Sequence, residues 1–334
     1  MKKSGIFNFS GIFIIILVSF SCTSGERQAL LPVVSGMPGD IAIVIDKAEW
    51  DTKIGDGFRR VFEEPYQVLP QYEPIFDIIQ VPHSAFNNVV KSQRNIIIVN
   101  LSPRHDESKI IVQKDIWAKP QLVLDLYARD DDSFVKLFTD NEQKIVKLLE
   151  DTERRRLMDT YKKNLDGEIL GTLKRRHHVS LIIPKGFKII DDTDDFVWLG
   201  QDVTTSVLGV LVYQYDYTDT NTFKKEYLIE KRDQFVKKHV PGEVEGSYMI
   251  TEREFSPFFS QYMLRGKQYV AELRGLWRIE KGISMGGPFV SITTLDKKRN
   301  KIITVEGFVF AAGQDKRNYL RQVEAIALSL EIIE

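Results

Sequence analysis

The sequence predicts an α+β fold made of two successive units, each a β-sheet with helices, at residues 39–165 and 176–334. Short apolar, β-prone runs bounded by turn residues recur along both units and are typical of strands. Longer amphipathic stretches follow some of these runs and predict helices. In the second unit, strand-like runs lie close together in sequence, with a polar turn at 296–300, so we expect a mainly antiparallel sheet with flanking helices.

The first unit opens with an apolar run at 40–46 that predicts a buried strand. A helix is expected at 50–64, because Ile54, Phe58 and Val61 fall on one helical face. The remaining elements predicted here are strands at 76–81, 95–101, 109–113 and 121–128, a short helix at 83–92 and a long helix at 133–163.

The second unit is richer in strands. Its helix at 222–238 is ended by Pro241 and Gly242, and an amphipathic helix at 315–330 closes the chain. The predicted strands are 178–184, 196–199, 207–217, 247–252, 258–265, 268–279, 289–296 and 301–310. Two β-prone runs, which end in Tyr127 and Tyr215, are each followed by a polar turn and a predicted helix that opens with Phe. This similarity indicates either a duplicated unit or two unrelated copies of a common strand–turn–helix arrangement.

The N-terminus has the pattern of an export signal. Lys2 and Lys3 precede an apolar run at 12–18, and small residues surround Cys22. The run is much shorter than the roughly 20 residues of a membrane span. Although Ser19 and Phe20 depart from the usual lipidation motif, the pattern predicts a signal peptide at 1–21 and acylation of Cys22, followed by a lipidated tether at 22–38.

Composition limits the classes of partner. The chain is 43% hydrophobic and carries 46 basic and 47 acidic residues, so it lacks the positive excess typical of nucleic-acid-binding proteins. Its single cysteine, Cys22, excludes an intramolecular disulfide. We therefore expect attachment to a membrane through the lipid, partners among envelope proteins, and no nucleic acid.

No catalytic or metal-binding pattern stands out. None of the five histidines has metal-ligand spacing, and phosphate-binding loops and nucleophile elbows are absent from the sequence. Because Cys22 is assigned to the anchor, it is not expected to act as a nucleophile. The sequence favours a protein without catalytic activity, metal or cofactor.

Two stretches are candidates for recognition. One is a predicted hairpin whose two glycines we expect in a tight turn, at least one of them with positive φ. It forms either an aromatic-walled groove or a core hairpin. Its residues are Arg274, Trp277, Met285, Gly286, Gly287 and Phe289. The other is the proline-bracketed segment 69–74, with Tyr72 and Glu73, which is either an exposed recognition loop or a stiff linker.

These motifs also carry a resemblance. The chain resembles the DUF4837 family of Bacteroidetes lipoproteins, and the resemblance implies a lipid-anchored envelope protein without implying a reaction. From about His178 the element order is similar to the PsbP/Mog1 type of antiparallel sheet with flanking helices. The segments that carry the DUF4837 resemblance are 36–38, 69–74, 94–95, 117–121, 241–242, 247–249, 274–277, 285–289, 306–309 and 316–317.

The sequence thus predicts an outer-membrane lipoprotein that acts as a non-catalytic interaction or assembly factor. The resemblance to Bacteroidetes lipoproteins implies an acidic cluster after the cysteine in surface-exported members; residues 23–26 lack one, so we expect a periplasm-facing position. The alternative is an envelope hydrolase or a small-ligand-binding protein with its site near Gly286 and Gly287.

Overall fold

A computed structural model describes residues 31–203 and 206–333 of the chain. The predicted signal peptide, Cys22 and most of the predicted tether lie outside these residues. Everything from Pro32 onward belongs to one compact unit. Among the described helices, none combines the length and apolar character needed to cross a membrane.

The first sheet is mixed, with strand order β2-β1-β3-β5-β4. Only the edge strand β4 runs antiparallel to its neighbour. The central strands are buried runs of Ile, Val and Leu, as expected for parallel strands covered on both faces. The strands are β1 (Asp40–Val44), β2 (Asp77–Val81), β3 (Asn95–Leu101), β4 (Lys109–Lys114) and β5 (Leu122–Ala128).

Helices cover this sheet through an aromatic layer. The Phe58 ring packs edge-on against Phe138, with 4.7 Å between ring centroids. The long helix starts where the Asp130 carboxylate accepts a hydrogen bond from the Ser133 amide at 2.9 Å, which satisfies a free N–H of the first turn. The helices of this half are α1 (Lys47–Trp50), α2 (Lys53–Phe62), α3 (Asn88–Lys91) and α4 (Asp131–Lys162).

The second sheet is antiparallel, with order β10-β12-β13-β14-β9-β8-β7, and β11 also pairs with β12. Two helices, α6 (Lys225–His239) and α7 (Arg317–Ala327), cover it, and a short α5 (Gly167–Thr172) precedes it. Its strands are β7 (Lys188–Asp192), β8 (Phe196–Val203), β9 (Ser206–Asp216), β10 (Tyr248–Thr251), β11 (Phe258–Leu264), β12 (Gln268–Glu280), β13 (Gly286–Asp296) and β14 (Lys301–Ala311); a separate pair joins β6 (Val179–Ser180) to β15 (Glu331–Ile332).

The predicted α+β class is confirmed, and most predicted elements are present. The strand predicted at 178–184 is wrong beyond Ser180. There the Ile182 amide donates to the Ser329 hydroxyl at 2.8 Å, and the Ile183 carbonyl accepts from the Asp166 amide at 2.9 Å, so neither bonds to a neighbouring strand. The mixed, mainly parallel first sheet and the antiparallel second sheet also differ in topology, which does not support a duplicated unit.

The end of the predicted tether belongs to the folded body. The Lys119 amide donates to the Pro32 carbonyl at 2.8 Å, and the Val34 amide donates to the Lys119 carbonyl at 3.2 Å. A further hydrogen bond of 2.8 Å joins the Ser35 amide to the Ser92 carbonyl. These bonds fix residues 32–35 beside the first sheet, so this part of the segment 22–38 is not a free tether.

The last helix joins the two halves. The Glu73 carboxylate accepts hydrogen bonds from the amides of Lys316 and Arg317 at 2.7 and 2.8 Å, so it caps α7 from the other half of the chain. The Arg317 guanidinium donates to the Pro74 carbonyl at 2.6 Å, and Arg321 donates to the Ile75 carbonyl at 2.7 Å. We call these contacts the α7 joint.

The Glu73→Ala variant tests this cap. It should lower the free energy of unfolding by about 1–3 kcal/mol, because two helix amides lose a charged acceptor in a buried setting. Chemical denaturation measures the change. Glu63→Ala, at an exposed neighbouring position, is the control and should leave stability unchanged. Equal stability of the two variants would contradict the capping role.

Candidate functional site

A pocket opens on the face of the second sheet that α6 covers. Its cavity is about 260 Å³, and its walls are almost wholly apolar. Aromatic side chains of the sheet, together with Met249 and Met285, form most of the walls. The chain that follows α6 forms the rim. We call it the aromatic pocket; its lining residues are Trp198, Val207, Val240, Pro241, Gly242, Glu243, Met249, Trp277, Ile279, Met285, Phe308 and Phe310.

Trp277 belongs both to this pocket and to the core. Its side chain is only 3% exposed, and its indole N–H donates to the Val309 carbonyl at 3.2 Å. The ring packs edge-on against Phe308, with 5.7 Å between centroids. The two alternatives for this motif, a core residue and a groove wall, therefore apply to the same side chain.

Gly286 and Gly287 are not in the turn. Both lie in β13 without positive φ, so that prediction is wrong; the hairpin turns at 281–285, where Lys281 has φ of 58°. The glycines instead allow close approach of neighbouring backbone. A Cβ on Gly287 would lie 2.0 Å from the Val309 carbonyl oxygen, and one on Gly286 would lie 2.6 Å from the Trp277 carbonyl oxygen.

The other residues of the motif separate. Met285 lines the aromatic pocket, whereas Phe289 is fully buried beneath α6. The Arg232 guanidinium lies 3.8 Å from the centroid of the Phe289 ring and forms a buried ion pair of 2.8 Å with Glu306. Phe289 is thus part of the support under α6 and is not available to a ligand.

Arg274 faces the opposite side of the sheet. It lies three positions before Trp277 in β12, and side chains alternate between faces along a strand. Arg274 there forms ion pairs with Glu272 and with Glu324 of α7. It lines a second cavity of about 300 Å³, which we call the polar cleft. The lining residues of the polar cleft are Glu64, Pro65, Tyr66, Gln67, Ile75, Val146, Glu150, Arg154, Arg274 and Glu324.

Several groups of the polar cleft have shifted pKa values. Burial, with the charge of Glu324, raises the pKa of Tyr66 to about 12. Burial also raises the pKa of Glu150, and Glu324 adds to that rise. Burial acts to raise the pKa of Glu324 as well, but Arg274 and Arg154 outweigh it and hold that pKa below its ordinary value. Such opposed shifts within one cleft are typical of functional sites.

Sequence reasoning missed this cleft except for Arg274. Its side chains come from four separated segments, and the Tyr66 hydroxyl reaches Glu324 across 258 positions, at 3.4 Å. The one available signal in the sequence is the dense charge of α4 around 150–156, a pattern that usually indicates a solvated helix face.

The proline-bracketed segment acts as a linker with one exposed ring. Tyr72 is 64% exposed, and its hydroxyl donates to the Glu63 carbonyl at 2.7 Å. Glu73 is buried and caps α7. Within the described ranges, no group of three or more His, Cys, Asp or Glu side chains is arranged to hold a metal ion.

The role of Gly287 is testable. Gly287→Ala should destabilise the fold by about 1–3 kcal/mol, because the added methyl group would overlap the Val309 carbonyl of the next strand. The matched control is Gly167→Ala, where an added Cβ meets nothing within 4 Å. Denaturant midpoints that agree for the two variants would show that β13 does not need the close approach.

Comparisons with known proteins agree with parts of this description. No curated protein matches the chain. Similar solved structures include cyanobacterial PsbP from Synechocystis sp. PCC 6803, at 13% sequence identity and a TM-score of 0.33. The matched region covers 47% of this chain and 88% of the PsbP chain. Another is the Saccharomyces cerevisiae Ran-binding protein Mog1p, at 7% identity and a TM-score of 0.32. The matched region covers 47% of this chain and 91% of the Mog1p chain.

Two family models divide the chain. Residues 34–162 match a domain of unknown function, DUF8532, so the resemblance that we expected over nearly the whole chain is shared between two models. Residues 167–329 match the domain of unknown function DUF4837. This match confirms the predicted resemblance to DUF4837 for the second half of the chain.

Proposed function

We propose that this protein is a lipid-anchored, non-catalytic interaction factor of the cell envelope, and that it holds an apolar side chain of an envelope protein in the aromatic pocket. The observation that carries the proposal is the pocket itself, a cavity of about 260 Å³ walled by Trp, Phe and Met side chains.

The size of the pocket favours a side chain over a larger ligand. Sites for drug-sized molecules have volumes of roughly 300–1,000 Å³, and this cavity lies below that range. Aromatic or aliphatic side chains inserted into pockets of a partner supply much of the binding energy at protein interfaces. Methionines, here Met249 and Met285, adapt to apolar groups of different shape.

The lining also favours binding over chemistry. Glu243, exposed at the rim, is the one ionisable side chain among the lining residues. General acid–base catalysis needs a positioned proton donor or acceptor next to the reacting bond, usually with a second group. The hydrolase alternative near Gly286 and Gly287 therefore receives no support from this pocket, whereas the small-ligand alternative remains a competing outcome of the test below.

The proposed anchor is Cys22, acylated after removal of residues 1–21. Its support is the sequence pattern, a positive start, a short apolar run and small residues around the only cysteine. The folded body begins at Pro32, which leaves nine residues after Cys22 as a connection. We place the protein on the periplasmic side of the outer membrane.

Cys22→Ala tests the anchor. The variant should move from the membrane fraction to the soluble envelope fraction or accumulate as the unprocessed precursor, and the mass of the acyl chains should be absent from it. Fractionation and intact-protein mass spectrometry measure both. Wild-type protein that carries no lipid mass, or a variant that fractionates with membranes like wild type, would refute the anchor.

Photo-crosslinking tests the pocket. A benzophenone amino acid replaces the exposed Glu243 at the rim and should give one discrete protein adduct in cells. Met285→Ala alters a pocket wall and should reduce that adduct, whereas Met263→Ala, at a position 51% exposed on β11, should not.

Two outcomes would contradict the proposal. An adduct that is equally strong with Met285→Ala and Met263→Ala would place the partner elsewhere on the surface. A small mass added to the protein itself, without a protein adduct, would favour the small-ligand alternative.

A further inference from the structure

The polar cleft has one wall that can contact hydrocarbon. Pro65, Ile75 and Val146 contribute aliphatic surface, while the other side carries the charged groups of α4, β12 and α7. The volume of about 300 Å³ accommodates a small aliphatic molecule or one long side chain. A ligand that fits both walls combines a short hydrocarbon chain with a polar head.

The arginines of this cleft already have partners. Arg274 forms ion pairs with both Glu272 and Glu324. Arg154 lies 2.8 Å from an Asp151 carboxylate oxygen and 3.9 Å from one of Glu324. An anionic head group would have to compete with these carboxylates, so the cleft does not favour an anion.

Two charged groups of the cleft, Glu64 and Glu150, have no side-chain partner among the described residues; Glu64 is exposed to solvent, whereas Glu150 is partly buried. Glu150 lines the cleft and a smaller adjoining cavity. Within the described part of the chain, its carboxylate neither accepts a hydrogen bond nor lies within 4.0 Å of a basic side chain. Burial and the charge of Glu324 raise its pKa. Glu150 is only partly buried, so its unpaired carboxylate can be reached from the cleft, and a cation placed beside it would gain a charge-assisted contact.

We propose that the polar cleft is a second binding site, independent of the aromatic pocket, and that it receives an alkylammonium group whose nitrogen pairs with the Glu150 carboxylate. The aliphatic chain of this ligand lies against Ile75 and Val146. The ammonium belongs either to a free small amine or to a lysine side chain of a peptide, which offer the same chemistry.

The charge of Glu150 has a consequence for stability without ligand. A carboxyl group whose pKa is raised in the folded state binds more protons there than in the unfolded chain, so its contribution to stability falls as pH rises. Glu150→Gln should therefore raise the thermal midpoint at pH 7, with a smaller difference at pH 4. The charged groups that act on Glu150 are Glu324, Arg321, Arg154 and Arg274.

Calorimetric titration of the full chain in detergent tests binding. The probe is n-pentylamine, and n-pentanol is the uncharged probe of the same length. Wild type should bind the amine. Glu150→Gln should bind it at least about tenfold more weakly, because the variant loses one charge-assisted contact. Glu142→Gln, on the same helix but paired with Arg60, is the matched control and should bind like wild type.

The outcomes are decisive. Absence of amine binding to wild type, equal affinity for n-pentanol, or unchanged affinity in the folded Glu150→Gln variant would each overturn the proposal. Nα-acetyl-lysine methylamide separates the two sources of the ammonium. Tighter binding of this compound than of n-pentylamine supports a lysine side chain, and the reverse order supports a free amine.

Discussion

Charged side chains on the last helix hold the two halves of this protein together, and the placement of the polar cleft follows from that. In the α7 joint, Arg317 and Arg321 donate hydrogen bonds to the carbonyl oxygens of residues 74 and 75. The Glu73 carboxylate in turn accepts a hydrogen bond from the backbone at the start of α7. Buried charges are costly when either partner is removed, so each half supplies what the other half needs. The sequences of the two halves match different domain families, yet neither half satisfies these groups alone.

The second sheet has two chemically different faces, and the α7 joint bears on one of them. On the α7 side, Arg274 meets Glu324 and the first half, and a polar cleft remains where the surfaces do not fill the space. On the α6 side, Trp277 packs among other rings, and an aromatic pocket remains beyond the end of the helix. Two residues that are three positions apart in one strand therefore belong to two separate sites.

Local pattern was sufficient to predict most elements but not the sites. The strand at 95–101 was predicted with the observed bounds, because a short apolar run rich in β-branched residues and bounded by polar residues favours a buried strand. A turn was predicted at 286–287, but these glycines lie in a strand and allow close approach of the backbone of β12 and β14, which local sequence does not record. The helix α5 was missed because it lies between the two predicted units, 39–165 and 176–334. The partners of Glu150 and Glu324 come from distant segments, so no local periodicity records the polar cleft.

The most direct test of the account is native-state hydrogen exchange at the centres of the two sheets, at the amides of Ile97 in β3 and Val305 in β14. In the wild type, both should report the same opening free energy, as expected for one cooperative body. Arg317→Met removes the hydrogen bonds that the Arg317 guanidinium donates to the Pro74 carbonyl and to Asp77, both of which belong to the first half. The account predicts that this variant lowers the opening free energy of both amides equally. Different opening free energies in wild type, or a loss confined to one sheet, would contradict it.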